Sequence, residues 1–127
     1  MHQLQKDSNR QSDETTSVSE LKELVSGFVS ERNWEKFHTP RNLAVSVTLE
    51  AAELLEHFQW APPADEAIDS HRHQQISEEL SDVMAYLLSL ANVLKIDVAS
   101  SMRAKMQKNR KKYPVEANLG TWKKPTE

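Results

Sequence analysis

The chain has 127 residues, a formal net charge of −3 and a pI of about 6.0. This length suits one domain, and the charge balance excludes a general electrostatic attraction to nucleic acid. The absence of cysteine excludes disulfides and thiolate metal sites. No apolar run reaches membrane-spanning length and no signal peptide is recognised, so a cytoplasmic protein with no membrane partner is expected. Only two glycines occur, which favours an all-α fold.

Capping signals predict where the first two helices begin. Residues 1–16 are polar and aperiodic, which predicts a disordered N-terminal tail. Ser17 opens a capping box and predicts the start of the first helix. Thr39 as the N-cap and Pro40 in the first turn predict the second helix. That helix is expected to run to about Trp60, where a proline-rich segment ends it.

The second half of the chain predicts two more helices and a tail. The third helix is expected from about Gln74 to Leu94. Asp97 is a plausible N-cap for the fourth helix, which should end near Tyr113 because a proline follows. Residues 114–127 lack helical periodicity and are predicted to be a C-terminal tail. A helical domain over residues 17–113 is therefore expected.

Two pairs of acidic residues with helical spacing are the main chemical signal. Glu50 and Glu53 lie three residues apart in the second predicted helix, and Glu79 and Asp82 repeat this spacing in the third. Such spacing places both side chains on one helix face, where like charges repel. Two converging pairs would form a four-carboxylate cage, which suits a hard cation such as Mg²⁺, with Mn²⁺ as a second choice.

The apolar pattern around these acids indicates partial burial. Glu50 lies in the middle of the second helix's apolar stripe and Glu53 at its edge, and a carboxylate directed at a core is costly unless it is paired or metal-bound. In the alternative reading, three acids are solvated and Glu50 pairs with a buried Arg or Lys. On the third helix, Glu79, Asp82 and Tyr86 are expected to flank the stripe. The two predicted stripes comprise Leu43, Val47, Leu54 and Phe58, and Ile76, Leu80, Val83, Leu87 and Leu94.

Trp34, His38, Trp60 and Tyr86 form a second candidate set, because flat aromatic side chains can stack on a nucleobase. Trp34 and His38 lie before the second helix and Trp60 at its far end, about 30 Å away at the usual helical rise. A single copy of the helix therefore cannot bring all four into one pocket, and a second subunit is the simplest way to do so. The alternative is that the tryptophans are ordinary boundary aromatics.

The fourth predicted helix is basic and complements the acids. Lys105, Asn109 and Lys112 share one stripe, which would suit an anionic ligand held between a metal and cations. The alternative reading is a solvated charged face.

The acidic pairs resemble the ExxE…ExxD signature of the MazG-like superfamily of all-α nucleotide pyrophosphohydrolases. The segments WEKFHTPRN, FQW and NRKKYP are similar to its dCTP pyrophosphatase branch in particular. The resemblance implies a four-helix MazG-like bundle protomer that assembles into a dimer or tetramer. It also implies Mg²⁺-dependent hydrolysis of a nucleoside triphosphate, dCTP or modified dCTP, to the monophosphate and pyrophosphate. Some dCTP-selective relatives carry a histidine where this chain has Val25, which leaves the preferred base open.

The resemblance also implies residue roles. Glu50, Glu53, Glu79 and Asp82 match the metal ligands, and Glu50 or Glu53 would activate water. Other matching positions contact the nucleotide, and they are Trp34, His38, Trp60, Tyr86, Lys105, Asn109 and Tyr113. Two alternatives remain, a related pyrophosphohydrolase of other or broad base specificity and a non-catalytic helical bundle that binds nucleotides or partners.

Overall fold

The computed structural model describes residues 11–60 and 68–121, and its regular structure is entirely helical. No strand occurs in these two ranges, so the all-α prediction is confirmed. Residues 1–10 of the predicted N-terminal tail lie outside the described residues. The elements in chain order are α1 (Val18–Glu31), a 3-10 turn (Glu35–Phe37), α2 (Pro40–Glu56), α3 (Ser70–Leu94), α4 (Val98–Lys112) and the one-turn α5 (Val115–Asn118).

Two compact units divide the chain, the first ending at Lys95 and the second beginning at Ile96. The first unit contains α1, α2 and α3, and the second contains α4 and α5. Helix α5 lies inside the segment that was predicted to be a tail. Among the described residues no single helix is both long enough and apolar enough to cross a membrane. The pair α3 and α4 meets these two conditions only when the lengths and compositions of both helices are taken together.

The predicted N-caps are present. The Ser17 hydroxyl accepts a hydrogen bond from the Glu20 amide at 3.1 Å, and Thr39 accepts from the Asn42 amide at 3.2 Å. The Asp97 carboxylate caps α4 by accepting from the Ser100 amide at 2.9 Å. Each cap satisfies an amide that has no partner within its helix. Helix starts were therefore readable from the sequence.

Two predicted helix bounds are wrong. Helix α2 ends at Glu56, four residues before Trp60, because the following amides bond to carbonyls three residues back. The Arg72 side chain donates to the carbonyl of His57 just after α2, so α3 caps this end. Helix α3 begins at Ser70 rather than near Gln74, because the Asp69 carboxylate accepts from the Arg72 amide at 2.8 Å.

Helix α3 forms the centre of the first unit, with α2 packed along it and α1 against it. Leu43 of α2 is only 1% exposed and is the most deeply buried large side chain. The predicted apolar stripe of α3 is confirmed at Ile76 and Val83 and wrong at three leucines that are exposed, Leu80, Leu87 and Leu94. The half-buried stripe has helical spacing and consists of Ile76, Glu79, Val83, Tyr86 and Leu90. Two adjacent stripes of α3 carry apolar residues, and packing against α2 selects the one that also carries Glu79 and Tyr86.

Candidate active site

The packing of α2 on α3 brings three predicted metal ligands together. Glu50 and Glu53 project from consecutive turns of α2, and Glu79 projects from α3. One carboxylate oxygen from each of the three lies within 4.8 Å of the others. Glu50 and Glu79 are half-buried, whereas Glu53 is exposed. The cluster therefore has a buried side within the helix pair and an open side at Glu53.

The buried side of the cluster lacks compensating partners. Oε2 of Glu50 and Oε2 of Glu79 are buried without a hydrogen-bond partner among the described residues. The alternative that Glu50 pairs with a buried Arg or Lys does not occur there, because the ion pair found is Arg32 with Glu31. Unpaired buried carboxylates are costly. Two orphaned oxygens in a set of hard oxygen donors fit a divalent cation of the Mg²⁺ class.

The electrostatics of the cluster act most strongly on Glu50. Burial raises the pKa of its carboxyl from 4.5 to about 7, and the neighbouring carboxylate of Glu53 adds to the increase. The carboxylates of Glu79 and Asp82 raise this pKa further. The metal-free cluster therefore favours a proton on Glu50, which is the response expected of carboxylates forced together.

Asp82, the fourth predicted ligand, lies outside the group of three whose oxygens meet within 4.8 Å. It is exposed and lines a neighbouring cavity of about 460 Å³. Asp82 is also close enough for its charge to act on Glu50. It therefore lies between the carboxylate cluster and this cavity, which we call the aromatic cavity.

The aromatic cavity contains three of the four predicted nucleotide-pocket residues. Trp34, His38 and Tyr86 line it together with Asp82. They also line an adjacent space of about 200 Å³ against α2. The remaining walls of the aromatic cavity come from α1 and α3 and are Leu24, Val25, Phe28, Val29, Ala85 and Ser89. Trp60 is absent from this lining and is 87% exposed beyond the end of α2.

The end of α1 fixes the position of Trp34. Asn33 adopts a left-handed conformation with φ of 54°, and the Trp34 amide donates to the carbonyl of Val29 at 3.0 Å. This arrangement is a Schellman motif, which closes a helix and directs the next residue back across it. The Trp34 ring meets the Phe28 ring edge-on at 5.9 Å between centroids. The end of α1 therefore holds the Trp34 ring in its position at the wall of the aromatic cavity.

Sequence reasoning missed the contribution of α1 and of Ser89 to this cavity. Leu24, Val25 and Phe28 have helical spacing in the sequence, but a repeating apolar face does not distinguish a core from a cavity wall. Ser89 had a signal in the sequence, because it interrupts the densest apolar run of the chain.

The predicted residues of the last long helix belong to the second unit. Lys105 is exposed, whereas Asn109 and Tyr113 are half-buried, and the Tyr113 amide donates to the Asn109 carbonyl at 2.8 Å. Lys112 places its ammonium 5.7 Å from the centroid of the Tyr113 ring. The predicted contact of Lys105, Asn109 and Tyr113 with the nucleotide stays a prediction.

Fold and site together define an all-α protein with a metal-compatible acidic cluster beside an aromatic cavity. The chain belongs to the MazG-like family, whose family model matches residues 45–127. The predicted resemblance to this family is confirmed. The match includes both acidic pairs and excludes α1 and Trp34.

Curated relatives support the more specific resemblance. The bovine protein named dCTP pyrophosphatase 1 is 38% identical over 108 residues, which are 83% of this chain and 64% of that protein. Its human counterpart is 35% identical over 114 residues, covering 87% of this chain and 67% of that protein. The chain thus spans about two thirds of the length of these relatives, and slightly less for the bovine protein.

A solved structure agrees with the fold. The crystal structure of a pyrophosphatase from Archaeoglobus fulgidus matches with a TM-score of 0.70 and 44% sequence identity. The match covers 76% of this chain and 91% of the archaeal chain.

Proposed function

We propose that the chain is a Mg²⁺-dependent nucleoside triphosphate pyrophosphohydrolase that forms a (deoxy)nucleoside monophosphate and pyrophosphate. The observation that carries this proposal is the three-carboxylate cluster joined through Asp82 to the aromatic cavity. Cytosine nucleotides, dCTP or modified dCTP, are the proposed substrates, because the curated relatives bear the name dCTP pyrophosphatase. Removal of excess or non-standard nucleotides from the cytoplasmic pool is the corresponding role.

Glu50, Glu53 and Glu79 are the proposed first ligands of the cation, and Asp82 is the fourth. Their oxygen donors and the two orphaned carboxylate oxygens support this assignment. A bound divalent cation would neutralise charge on the phosphates and lower the pKa of a coordinated water.

The chain's own residues would perform the remaining chemistry. Glu50 or Glu53 orients a water molecule and accepts its proton as the water oxygen bonds to phosphorus. The phosphoanhydride bond between the α and β phosphates breaks, and the released group carries away the bonding electron pair. Glu53 is exposed and can exchange its proton with solvent after each turnover. Lys105 is proposed to stabilise the pyrophosphate, as positive groups do where charge develops.

The aromatic cavity is the proposed site of the base. Stacking on Trp34 or Tyr86 contributes about 1–3 kcal/mol per base in comparable sites. His38 supplies a ring that can donate or accept a hydrogen bond. Trp60 lies beyond the end of α2 and is proposed to complete a site of a second subunit.

We also propose that the subunits associate through the apolar surface of α3 into a homodimer or homotetramer. Leu80, Met84 and Leu87 are spaced by four and three residues on one helix face, and all three are exposed. An exposed apolar stripe at coiled-coil spacing marks an association surface. Sedimentation analysis should therefore find a dimer or tetramer, and Leu87→Glu should shift it toward the monomer. A wild-type monomer at micromolar concentration would contradict the assembly.

The test of function is product analysis with a panel of standard and modified dNTPs, each with Mg²⁺ and with EDTA. Pyrophosphate and monophosphate formed only with Mg²⁺ would support the reaction, and the ranking of rates would give the base. Turnover of many bases at similar rates would favour the broad-specificity alternative. Failure to turn over any member would favour the non-catalytic nucleotide-binding bundle.

Glu53→Gln tests the catalytic assignment within this panel. The variant removes a proton acceptor and a metal ligand, and we expect turnover to fall by at least 100-fold, as for loss of a general base. Glu23→Gln is the control, because Glu23 is an exposed acid of α1 outside the cavity lining. Wild-type turnover by Glu53→Gln at saturating Mg²⁺ would reject the assignment.

A further inference from the structure

Ser89 is a buried polar residue at the wall of the aromatic cavity. It is 6% exposed and lies on α3. It lines the aromatic cavity and also a smaller space of about 160 Å³ on the other side of His38 and Val29. Its hydroxyl therefore lies where a molecule in the cavity can reach it.

The hydroxyl of Ser89 differs from other helical hydroxyls of this protein. Thr48 and Ser81 donate to the carbonyl four residues earlier, at 3.0 and 2.7 Å. Ser89 makes no such bond among the described residues, although it is more buried than either. The Ser89 oxygen is not one of the buried atoms that lack a partner, so it is open to the space of the cavity although the residue is 6% exposed. A hydroxyl that is not used within its own helix and is open to a cavity is free to hydrogen-bond a ligand there.

The placement of Ser89 along α3 defines which part of a ligand it would meet. Asp82, Tyr86 and Ser89 occupy positions i, i+4 and i+7 and line the same cavity. Ser89 lies about 10 Å along the helix from Asp82 at the usual rise. Asp82 is the residue beside the carboxylate cluster, so Ser89 is at the far end of the cavity from the proposed phosphates. The distance between Asp82 and Ser89 is about the length of one deoxyribose and one pyrimidine ring, so the base of a nucleotide whose phosphates lie near Asp82 would reach Ser89.

The other walls at the far end offer few polar groups. Leu24, Val25, Phe28 and Ala85 are apolar, and the His38 ring is shared with the neighbouring space. A polar base edge entering such a wall needs a hydrogen-bonding group there. A serine hydroxyl both donates and accepts, so it can pair with a ring nitrogen, an amino group or a carbonyl.

We infer that Ser89 is a specificity-determining residue whose hydroxyl hydrogen-bonds the polar edge of a pyrimidine base in the aromatic cavity. This inference rests on the proposed function in one respect only, namely that the cavity holds the base of a nucleotide. It does not depend on hydrolysis or on a metal.

The test is a calorimetric titration of the full chain in EDTA with two nucleosides. One is deoxycytidine, and the other is a difluorotoluene deoxyriboside, which has the shape of a pyrimidine nucleoside without its hydrogen-bonding edge. Ser89→Ala should weaken deoxycytidine binding roughly 2- to 12-fold, the range of one neutral hydrogen bond, and leave binding of the apolar analogue unchanged. Ser77→Ala, an exposed serine of the same helix, should change neither.

Three results would overturn the inference. The first is that Ser89→Ala weakens the binding of both nucleosides equally, which would indicate a packing role. The second is that Ser89→Ala does not weaken the binding of deoxycytidine. The third is that the wild-type protein does not bind deoxycytidine.

Kinetics with dCTP and Mg²⁺ separate this inference from the proposed function. A raised KM with unchanged kcat in Ser89→Ala supports both. Ser89-dependent nucleoside binding by a protein that hydrolyses no dNTP supports the inference and rejects the proposed function.

Discussion

Glu50 of α2 and Glu79 of α3 face each other with one buried carboxylate oxygen each, and neither oxygen has a hydrogen-bond partner among the described residues. Glu53 brings a third oxygen within 4.8 Å of both. Carboxylates this close repel one another, and burial increases the cost. The helix pair therefore carries a local destabilisation that a proton or a cation would relieve.

Replacing Glu79 by glutamine should have opposite effects with and without metal. In EDTA, Glu79→Gln removes one negative charge from the cluster, so the melting temperature should rise above that of the wild type. With Mg²⁺, the wild type should gain about 2.7 kcal/mol at a concentration of 100 times Kd, and the variant should gain much less. Differential scanning calorimetry of both proteins under both conditions measures these changes.

The neighbouring Glu78 provides the matched control for this comparison. It is exposed and lies outside the cluster, so Glu78→Gln should keep the full response to Mg²⁺. The interpretation fails if Mg²⁺ leaves the wild-type melting temperature unchanged, or if it stabilises Glu79→Gln equally.

The stability of the metal-free protein should fall as pH rises through neutrality. Burial, together with Glu53, Glu79 and Asp82, raises the pKa of Glu50 from 4.5 to about 7 in the folded protein. The folded state therefore binds this proton more tightly than the unfolded chain. The contribution is fully present below pH 4.5 and is lost as pH rises through about 7.

A pH series of melting temperatures in EDTA tests this sign. The wild type should lose stability between pH 5 and 8 relative to Glu50→Gln, which has no titrating group at this position. Apparent Mg²⁺ affinity should rise over the same interval, because the metal displaces the proton. A constant difference between the two proteins across the series would contradict the raised pKa.

The sequence predicted those features that local chemistry determines. Ser17, Thr39 and Asp97 were readable as caps because a side-chain oxygen next to the first free amides is sufficient. The acidic pairs were readable because their spacing alone places them on one face. The buried stripe of α3 was readable only at Ile76 and Val83, because Leu80 and Leu87 make a second apolar stripe and only packing against α2 selects between the two. The early end of α2 was missed because Arg72 caps it from a different helix.

The aromatic cavity was predicted only in part for a related reason. Trp34, His38 and Tyr86 could be named because flat aromatic side chains can stack on a nucleobase. The cavity wall from α1 depends on a tertiary contact that no local pattern encodes. Ser89 shows the difference most clearly, because its place in the cavity wall becomes visible only when α1 and α3 are packed.

Asn33 should control the position of Trp34 through its backbone conformation. A branched side chain disfavours the left-handed region that Asn33 occupies at φ 54°, whereas glycine accepts it. Asn33→Val should therefore cost about 1–2 kcal/mol of unfolding free energy and raise the KM for the nucleotide. Asn33→Gly should keep the unfolding free energy and the KM of the wild type. Denaturation measures the first quantity and steady-state kinetics the second. If the two variants have the same unfolding free energy and KM, the conformational role is contradicted.

Leu43 should contribute most to stability among the leucines of α2, because it is only 1% exposed where α2 packs on α3. Leu43→Ala leaves a cavity in that packing and should lower the unfolding free energy by about 2–5 kcal/mol. Leu55 lies on the same helix with 68% exposure, so Leu55→Ala should change it by less than about 0.5 kcal/mol. Urea denaturation at several protein concentrations gives both values. A cost below about 1 kcal/mol at Leu43 would contradict the packing, since deletion of a well-packed leucine costs more. A large, concentration-dependent cost at Leu55 would instead assign that leucine to a subunit interface.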